Sequence, residues 1–389
     1  MKKKEALQVL LDLLHLSGPS GQEGPVADYL TQRLLAAGLP RNAVSRDSAH
    51  KRIPLPTSGG NLIVHLPGEG RLRRAPRRLF CAHMDSVEIV LGVKPRRRGR
   101  LILPSSGHAL GADDRSGVAA VLVTLLRLIA EAPDHPPITA LFTVREESGI
   151  WGVRTLEKAK LKKPAMGFNF DGGSPAVMMT AAVGSDRLDI TVRGIASHGG
   201  GAPERGVNAA VVASLALAEL QEKGLHGLIR SGRDRATANI GSIQGGVFHN
   251  IVCPEVSIVA ETRGYRARTI DRLTTAYRRA FERAVKKVKN SEGRTGALVF
   301  RAQRLYHPFV LAARAPVVRL CRRAITACGL QPATEWSKGG LDANWLFLHG
   351  VPTVTLGAGA YNPHTTDEYL DLDQFEQALE VAWKLATLE

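Results

Sequence analysis

The chain has 389 residues, of which 44% are hydrophobic and 23% are charged, and its formal net charge is +16 at pH 7. A chain of this length can bury a full core, and we expect two domains or one domain with a large insertion. No apolar stretch is long enough and free enough of charge to span a bilayer, and the first residues lead into an amphipathic pattern instead of a signal peptide. These features exclude a membrane-spanning chain and favour a cytoplasmic protein.

Outside residues 184–304, the hydrophobic pattern alternates between strands and helices, as in an α/β domain. It predicts helices over residues 5–15, 24–37, 116–130, 316–328 and 372–388, and strands over residues 59–66, 79–82, 139–144, 166–170 and 351–356. The stretch SGPSGQEG predicts a turn between the first two helices, because its glycines and proline interrupt both. We therefore expect residues 1–183 and 305–389 to form one domain with helices around a sheet.

Residues 184–304 have a different pattern. It predicts strands over residues 188–193, 236–243, 252–263 and 297–303, and helices over residues 207–223 and 269–289. This βαββαβ order is typical of a ferredoxin-like sandwich. We expect this segment to form a second domain inserted into the first.

His83 and Asp85 follow the buried strand predicted over residues 79–82, at the end where ligands commonly gather in α/β sheets. A neutral imidazole suits a divalent transition metal, and a carboxylate two residues away can hold the other ring N–H. Alone, this His-x-Asp tripeptide is more often a solvated loop than a metal site.

Acidic residues and histidine recur where the other predicted strands end. Glu146 and Glu147 follow one strand, Asp171 follows another, and His364 lies in the loop after a fourth. With Asp113 and Asp114 before the helix at 116–130, the chain offers two histidines and several carboxylates. This set suits two divalent ions that share a bridging carboxylate and a water.

Asp113 and Asp114 lie at the predicted start of that helix, where the helix dipole favours a carboxylate. A helix N-cap is a common role for aspartate at such a position. Both roles are compatible, with Asp114 as the cap and Asp113 as a metal ligand.

Two basic segments, residues 71–78 and 94–100, hold much of the positive charge and are predicted to be polar loops or hairpins. A nucleic-acid patch is one interpretation, but no aromatic residues interleave with the arginines to stack on bases, so we favour a solvated surface. The four cysteines, Cys81, Cys253, Cys321 and Cys328, lack metal-type spacing, and we expect them to be reduced core residues.

Across nearly its whole length, the sequence resembles the peptidase T-like group of co-catalytic zinc exopeptidases, relatives of carboxypeptidase G, aminoacylase and succinyl-diaminopimelate desuccinylase. The motifs that carry this resemblance are HMDSVE, LGADDRSGVAA, FTVREESG, NFDGG, GIASHGGGAPERGVNAA, TANIGSIQGGVFHNIVCPEV, GGLDAN and HTTDEYL. The resemblance implies a catalytic domain with a central mixed sheet flanked by helices, and makes the insertion at 184–304 a lid and dimerisation domain.

The resemblance also implies two metal ions, zinc with cobalt or manganese as alternatives. His83 and Asp171 would bind one ion, Glu147 and His364 would bind the other, and Asp113 would bridge them. Asp85 would orient His83, and Glu146 would be the general base. Two adjacent glutamates on an extended backbone point apart, which suits this division between metal ligand and base. A cis peptide bond between Asp113 and Asp114 is expected as well.

For the lid, the resemblance implies that His198 stabilises the oxyanion, often from the neighbouring subunit of a homodimer. Asn250 and Arg263 match positions that engage substrate, although Arg263 could equally be a surface charge. Gly339, Gly340 and Asp342 match a loop beside the substrate, where missing side chains permit close approach of the backbone.

Two features depart from the family pattern. Arg115 stands where the family commonly has lysine, a change expected to be tolerated at a surface or lid contact but not at a specific hydrogen bond. SGPSGQEG resembles a related aminopeptidase family, whose insertion lies between the first histidine and the bridging aspartate instead of after Asp171.

The resemblance predicts an amide hydrolase, and we expect an aminopeptidase that acts on short peptides. The alternatives on the same scaffold are an amidohydrolase, a deacylase and a carboxypeptidase. A different class, a nucleic-acid-binding protein without catalysis, is disfavoured because each expected ligand and the base are present.

Overall fold

A computed structural model describes residues 3–231 and 234–389. The chain divides into two compact units. The first comprises the described residues of Met1–Ala181 together with Leu311–Ser337 and Leu341–Glu389, and the second comprises the described residues of Ala182–Val310 together with Lys338–Gly340.

The elements are numbered in chain order. The helices are α1 (Lys3–His15), α2 (Gly24–Ala36), α3 (Ala112–Glu131), α4 (Trp151–Arg154), α5 (Ala209–Glu222), α6 (Ala267–Lys287), α7 (Pro316–Ala327), α8 (Asp342–Leu348) and α9 (Leu372–Thr387). The strands are β1 (Val44–Arg46), β2 (Leu62–Leu66), β3 (Arg78–His83), β4 (Arg96–Arg98), β5 (Leu101–Leu103), β6 (Ile138–Thr143), β7 (Met166–Phe170), β8 (Val177–Ala182), β9 (Gly184–Arg193), β10 (Gly227–Ser231), β11 (Asp234–Gly245), β12 (Glu255–Gly264), β13 (Ala297–Tyr306), β14 (Phe309–Val310), β15 (Ala333–Ser337), β16 (Thr353–Leu356), β17 (Ala360–Tyr361) and β18 (Tyr369–Asp371).

The first unit is built on a mixed sheet in which strands run in the order β1-β2-β6-β3-β7-β16-β8. The neighbours β6, β3, β7 and β16 are parallel, whereas β2 and β8 pair antiparallel with the ends of this parallel set. The predicted α/β class with a central mixed sheet is therefore confirmed. The parallel set matters for function, because the carboxyl ends of parallel strands meet at one edge of a sheet.

Helices cover both faces of this sheet, as buried parallel strands require. Leu79 and Cys81 of β3 pack in one apolar cluster with Val153 of α4 and Leu346 of α8. Residues of β3 alternate between faces, and α3 contacts β3 and β7 and also packs against α1 and α9. Nearly every side chain of α3 from Val118 to Leu125 is buried, which explains its long apolar sequence.

The second unit is an antiparallel sheet in the order β10-β11-β12-β9-β13, against which α5 and α6 pack. The order β11-β12-β9-β13 is the arrangement of a ferredoxin-like sandwich. The sequence prediction missed β10, an additional edge strand. This short segment begins with a glycine and carries only two large apolar residues, so its alternation is too brief to predict a strand.

The structure also corrects the predictions for one basic residue and two cysteines. Residues 94–100 include β4, which forms an exposed hairpin with β5, as predicted. Arg78, in contrast, is not on a solvated loop: it is buried in β3 and donates hydrogen bonds to the carbonyl oxygens of Leu385 (2.6 Å) and Leu388 (2.5 Å). All four cysteines are free, but Cys253 and Cys328 are part-exposed and not core residues.

Candidate metal centre

Four of the five predicted metal ligands follow or end neighbouring parallel strands, at one edge of the sheet. His83 ends β3, Asp171 directly follows β7, and Glu147 lies four residues beyond the end of β6. His364 lies in the segment between β17 and β18, which follows β16. The fifth residue, Asp113, is at the beginning of α3, the helix that packs on β3 and β7.

Asp113 lies between the two histidines. Its Oδ1 is 3.0 Å from Nε2 of His83, and its Oδ2 is 3.5 Å from Nε2 of His364. The same His364 nitrogen is 2.7 Å from Oε2 of Glu147. Ligand atoms of His83, Asp113 and Glu147 all lie within 4.8 Å of one another, close enough to surround a cation.

The acidic side chains of this cluster affect one another's ionisation. Desolvation and the nearby charge of Asp113 raise the pKa of Asp171 to about 7. Desolvation also raises the pKa of Glu146 well above its usual range, and Asp171, Asp342 and Glu147 act in the same direction. Such crowding of carboxyl groups is unfavourable without cations to balance it.

The histidines balance part of this charge. Desolvation opposes ionisation of Asp113, but its hydrogen bonds with His364 and His83 hold the pKa of this carboxyl far below its usual range. Hydrogen bonds with Asp113 and Glu147 raise the pKa of His364 to about 10. Imidazole nitrogens and carboxylate oxygens are ligands that zinc accepts, and divalent cations would remove the repulsion among the carboxylates. The residues present therefore fit a metal centre.

Asp85 is fully buried and contacts more than His83. Its Oδ1 is 3.5 Å from Nδ1 of His83, whose ring also lies 3.1 Å from the Asp85 carbonyl oxygen. The Asp85 carboxylate additionally accepts hydrogen bonds from the backbone N–H groups of Glu146 (2.9 Å) and Glu147 (3.2 Å). Asp85 thus connects the end of β3 to the turn that carries both glutamates.

Asp113 and Asp114 are joined by a cis peptide bond, as predicted. The buried Asp114 carboxylate accepts hydrogen bonds from the backbone N–H groups of Gly117 (3.1 Å) and His83 (3.2 Å). The first of these is the predicted capping contact, because the backbone becomes regularly helical only after Asp114.

Arg115 is not a surface or lid contact. The whole residue is 2% exposed, and its guanidinium donates hydrogen bonds to the carbonyl oxygens of Met84 and Gly18. Burial lowers its pKa to about 10, and the nearby carboxylates of Asp85, Glu23 and Asp114 oppose that shift. It is therefore a buried cation close to the carboxylates of Asp85, Glu23 and Asp114.

Sequence analysis missed three residues that hold this site. Glu368, in the quoted motif HTTDEYL, accepts backbone hydrogen bonds from the segment that leads to Asp113. In SGPSGQEG, Ser20 donates a hydrogen bond to Asp85, and Glu23 accepts one from the backbone N–H of Arg145. Each of the three is a polar residue inside a motif that was already noted, which is the only sign of its role in the sequence. Its partner could not be predicted, because none of these residues is near its partner in sequence.

The other predicted site residues, except Asp342, lie in the second unit. His198 is exposed, and its Nδ1 accepts hydrogen bonds from the backbone N–H groups of Gly201 (2.8 Å) and Gly200 (3.2 Å). The carbonyl oxygen of the exposed Asn250 accepts a hydrogen bond from the Gly199 N–H at 2.7 Å, so the two loops are adjacent.

Arg263 is held within the second unit by Glu261 (3.0 Å) and by the carbonyl oxygen of Lys338 (3.2 Å). Gly340 lies in the short segment Lys338–Gly340 of the same unit. Asp342, in contrast, is buried in the first unit and accepts a hydrogen bond from Thr143 Oγ1 at 2.6 Å.

Comparisons with known proteins show that this chain is similar to peptidases. The structure is similar to that of aminopeptidase PepT from Bacillus cereus, with a TM-score of 0.89 and 28% identity over 99% of this chain and 98% of that one. The sequence is 26% identical to peptidase T of Serratia proteamaculans over 75% of this chain and 68% of that protein. It is 28% identical to carboxypeptidase G2 of Pseudomonas sp. over 84% of this chain and 76% of that protein.

The predicted family resemblance is also confirmed directly. Residues 79–387, which include every candidate metal ligand, match the peptidase family M20/M25/M40. Because this match spans most of the chain, the protein is a metallopeptidase that belongs to peptidase family M20/M25/M40.

Proposed function

We propose that this protein is an aminopeptidase that hydrolyses short peptides at a centre of two divalent ions, most simply zinc. The observation that carries this proposal is the position of Asp113, whose two carboxylate oxygens face two different histidines. A carboxylate with one oxygen toward each half of a site is the arrangement that bridges two ions.

Five residues would hold the ions: His83 and Asp171 at one position, Glu147 and His364 at the other, and Asp113 between them. When bound, the ions would make a shared water more acidic and polarise the scissile carbonyl. Cobalt and manganese fit the same donors, so the choice of zinc needs a measurement.

Glu146 is the group that we assign to proton transfer. Desolvation raises the pKa of its side chain, which makes the carboxylate a stronger base that would take a proton from water and pass it to the leaving amine. Its backbone N–H is fixed by Asp85, which limits where the side chain can reach.

His198 would donate a hydrogen bond to the oxyanion that forms during attack. Because its Nδ1 accepts backbone hydrogen bonds from Gly200 and Gly201, the neutral ring carries its proton on Nε2, which is then available as a donor. Asn250, Arg263 and Gly340 would contact substrate, and Arg263 could bind a peptide carboxylate through its guanidinium.

The direct test combines elemental analysis with a peptide-hydrolysis screen of the wild type and Glu146→Gln. We expect about two metal ions per chain in both proteins and a loss of about 10²–10⁴-fold in kcat for the variant. Glu380→Gln, an exposed substitution on α9, is the matched control. Unchanged turnover in Glu146→Gln would remove Glu146 from this role, and no metal uptake by the wild type would overturn the centre itself.

Similarity to carboxypeptidase G2 favours a second candidate, a carboxypeptidase or deacylase on the same scaffold. A panel of tripeptides with free and blocked termini separates the two functions. Loss of turnover when the amino terminus is blocked supports the aminopeptidase. Loss only when the carboxyl terminus is blocked supports the carboxypeptidase.

The proposed active form is a homodimer that associates through the second unit, which would serve as a lid. Exposed apolar side chains on that unit support this, among them Val211 on α5, Leu228 on β10 and Phe248. Light scattering of the wild type and Val211→Glu tests it, with a monomeric wild type as the contrary result.

We also propose that the enzyme works in the cytoplasm, where its four free cysteines would remain reduced. Among the described residues, no helix is both long enough and apolar enough to cross a membrane. Fractionation of cells that produce the protein tests this location.

A further inference from the structure

SGPSGQEG, residues 17–24, lies outside the part of the chain that matches the peptidase family, yet two of its side chains bond to segments that carry the candidate metal centre. We propose that Ser20 and Glu23 are positioning residues for Glu146 and Glu147. This inference rests on the proposed function, because it assigns these residues to the same reaction.

The loop is attached to the segment that follows β3. The backbone N–H of Ser20 donates to the carbonyl oxygen of Ser86 at 3.2 Å, and the N–H of Ser86 donates to the carbonyl oxygen of Gly18 at 3.1 Å. Pro19 and Ser86 form a parallel bridge. The loop therefore keeps a fixed register beside Asp85, the residue before Ser86.

Ser20 contacts Asp85 directly. Its hydroxyl donates a 2.5 Å hydrogen bond to Oδ2 of Asp85, the oxygen that also accepts the backbone N–H of Glu147. Asp85 Oδ1 accepts the N–H of Glu146. A buried carboxylate can occupy more than one rotamer unless its oxygens are bonded, so Ser20 fixes the acceptor that orients both glutamates.

Glu23 bonds directly to the turn that carries Glu146 and Glu147. It is 1% exposed, and its Oε1 accepts hydrogen bonds from the backbone N–H groups of Gly21 (2.7 Å) and Arg145 (3.0 Å). Arg145, the residue before Glu146, has φ = 52°, a left-handed conformation that is unfavourable for a residue with a side chain. Glu23 stabilises this conformation by bonding to the N–H that the turn presents.

The guanidinium of Arg145 bonds the turn to neighbouring segments. It donates hydrogen bonds to Thr57 Oγ1 (2.7 Å), Ser148 Oγ (3.2 Å) and the carbonyl oxygen of Pro56. A Cβ at Gly21 would lie 2.2 Å from Arg145 Nη2, so the glycine permits this close approach. Since Glu146 follows Arg145 directly, a shift of the turn would move the base relative to the metal ligands.

Ser20→Ala, Glu23→Gln and Glu23→Leu test this inference. We expect Ser20→Ala to lower kcat about 10-fold with KM changed less than about twofold, because it frees Asp85 without touching substrate. Glu23→Gln keeps an oxygen acceptor at Oε1 and should retain most of the wild-type kcat. Glu23→Leu removes the acceptor, leaves two buried N–H groups unpaired and should lose more activity.

A readout independent of turnover is the affinity for Co²⁺, measured by chelator competition, and the visible spectrum of the Co²⁺-loaded protein. Because Asp85 orients the ligand Glu147 as well as the base, Ser20→Ala should weaken Co²⁺ binding severalfold and alter the spectrum. Thr124→Ala is the control, since it removes a buried hydroxyl that bonds within α3 and outside this network.

The outcomes are distinguishable. A folded Ser20→Ala with wild-type kcat, Co²⁺ affinity and spectrum would overturn the positioning role while leaving the peptidase intact. A metal-loaded wild type that hydrolyses no peptide would overturn the proposed function instead. Equal losses in Ser20→Ala and in Thr124→Ala would show that the effect is one of general stability and would also overturn the inference.

Discussion

The carboxylate of Glu368 accepts a hydrogen bond from the backbone N–H of Asp113 at 3.0 Å. Its other oxygen accepts the N–H groups of Leu110 (2.7 Å) and Gly111 (2.8 Å), and the residue is 1% exposed. Glu368 is four residues beyond His364, so one buried side chain fixes the backbone of Asp113, the proposed bridging ligand, and belongs to the segment of a second proposed ligand.

Replacing Glu368 with glutamine should therefore weaken metal binding. The amide nitrogen of glutamine cannot accept the backbone hydrogen bonds that one carboxylate oxygen of Glu368 accepts. The backbone at Asp113 would be held less firmly, and we expect about a 10-fold loss of metal affinity. Isothermal titration with Zn²⁺ measures it. Glu376→Gln, on the surface of α9, should have little effect. Wild-type affinity in Glu368→Gln would show that these hydrogen bonds do not support the site.

Gly117 is a position where any side chain would disturb the centre. A Cβ there would lie 2.2 Å from the carbonyl oxygen of Phe170 and 2.3 Å from Oδ1 of Asp114, the residues beside Asp171 and Asp113. We expect Gly117→Ala to destabilise the fold by about 1–3 kcal/mol and to weaken metal binding.

Urea unfolding and metal titration measure the two effects of Gly117→Ala. Gly24→Ala is the control, because no atom lies within 4 Å of a Cβ built at that position of α2. Equal stability of the two alanine variants would contradict the predicted clash.

His65 on β2 should make the fold sensitive to mild acid. Burial, together with Lys162 and Arg77, lowers its pKa to about 4, whereas the ring in the unfolded chain has a pKa of about 6.5. Between these values the unfolded chain binds more protons, so the stability that this group contributes is present above pH 6.5 and is lost as pH falls to 4.

The measurement compares the wild type with His65→Gln by urea unfolding between pH 7.5 and 4. Each pH unit across the window corresponds to at most ~1.4 kcal/mol for a single proton, and the partly exposed ring should show less. The wild type should lose more stability than the variant over this interval. Parallel curves would show that His65 remains accessible to protons in the folded state.

Arg78 should stabilise the first unit through α9. Its guanidinium donates hydrogen bonds to the carbonyl oxygens of Leu385 and Leu388 at the end of that helix. Carbonyl oxygens at a helix end have no hydrogen-bond donor within the helix itself. Arg78→Met should lower the free energy of unfolding by about 1.5–3 kcal/mol. Arg74→Met, on an exposed neighbour, should be almost neutral. Equal effects of the two substitutions would contradict a specific role.

The sequence by itself determined where the candidate ligands lie relative to the strands. Apolar runs of four to six residues predict buried strands, and His83, Glu147 and Asp171 follow such runs. Parallel strands bring those ends together, so the candidate metal centre was predictable from a local pattern and the family motifs. The six strands and helices that define the ferredoxin-like part of the second unit were predictable for the same reason, whereas the brief β10 was not.

Only the tertiary structure decided which polar groups hold the ligands in place. The partners Glu368 and Asp113 are 255 residues apart, and Ser20 and Asp85 are 65 apart. Arg78 and Arg115 look like surface charges in sequence, yet both are buried with backbone acceptors. A local pattern determines which face of an element is apolar, but a hydrogen bond between distant segments depends on how those elements pack, which no local pattern encodes.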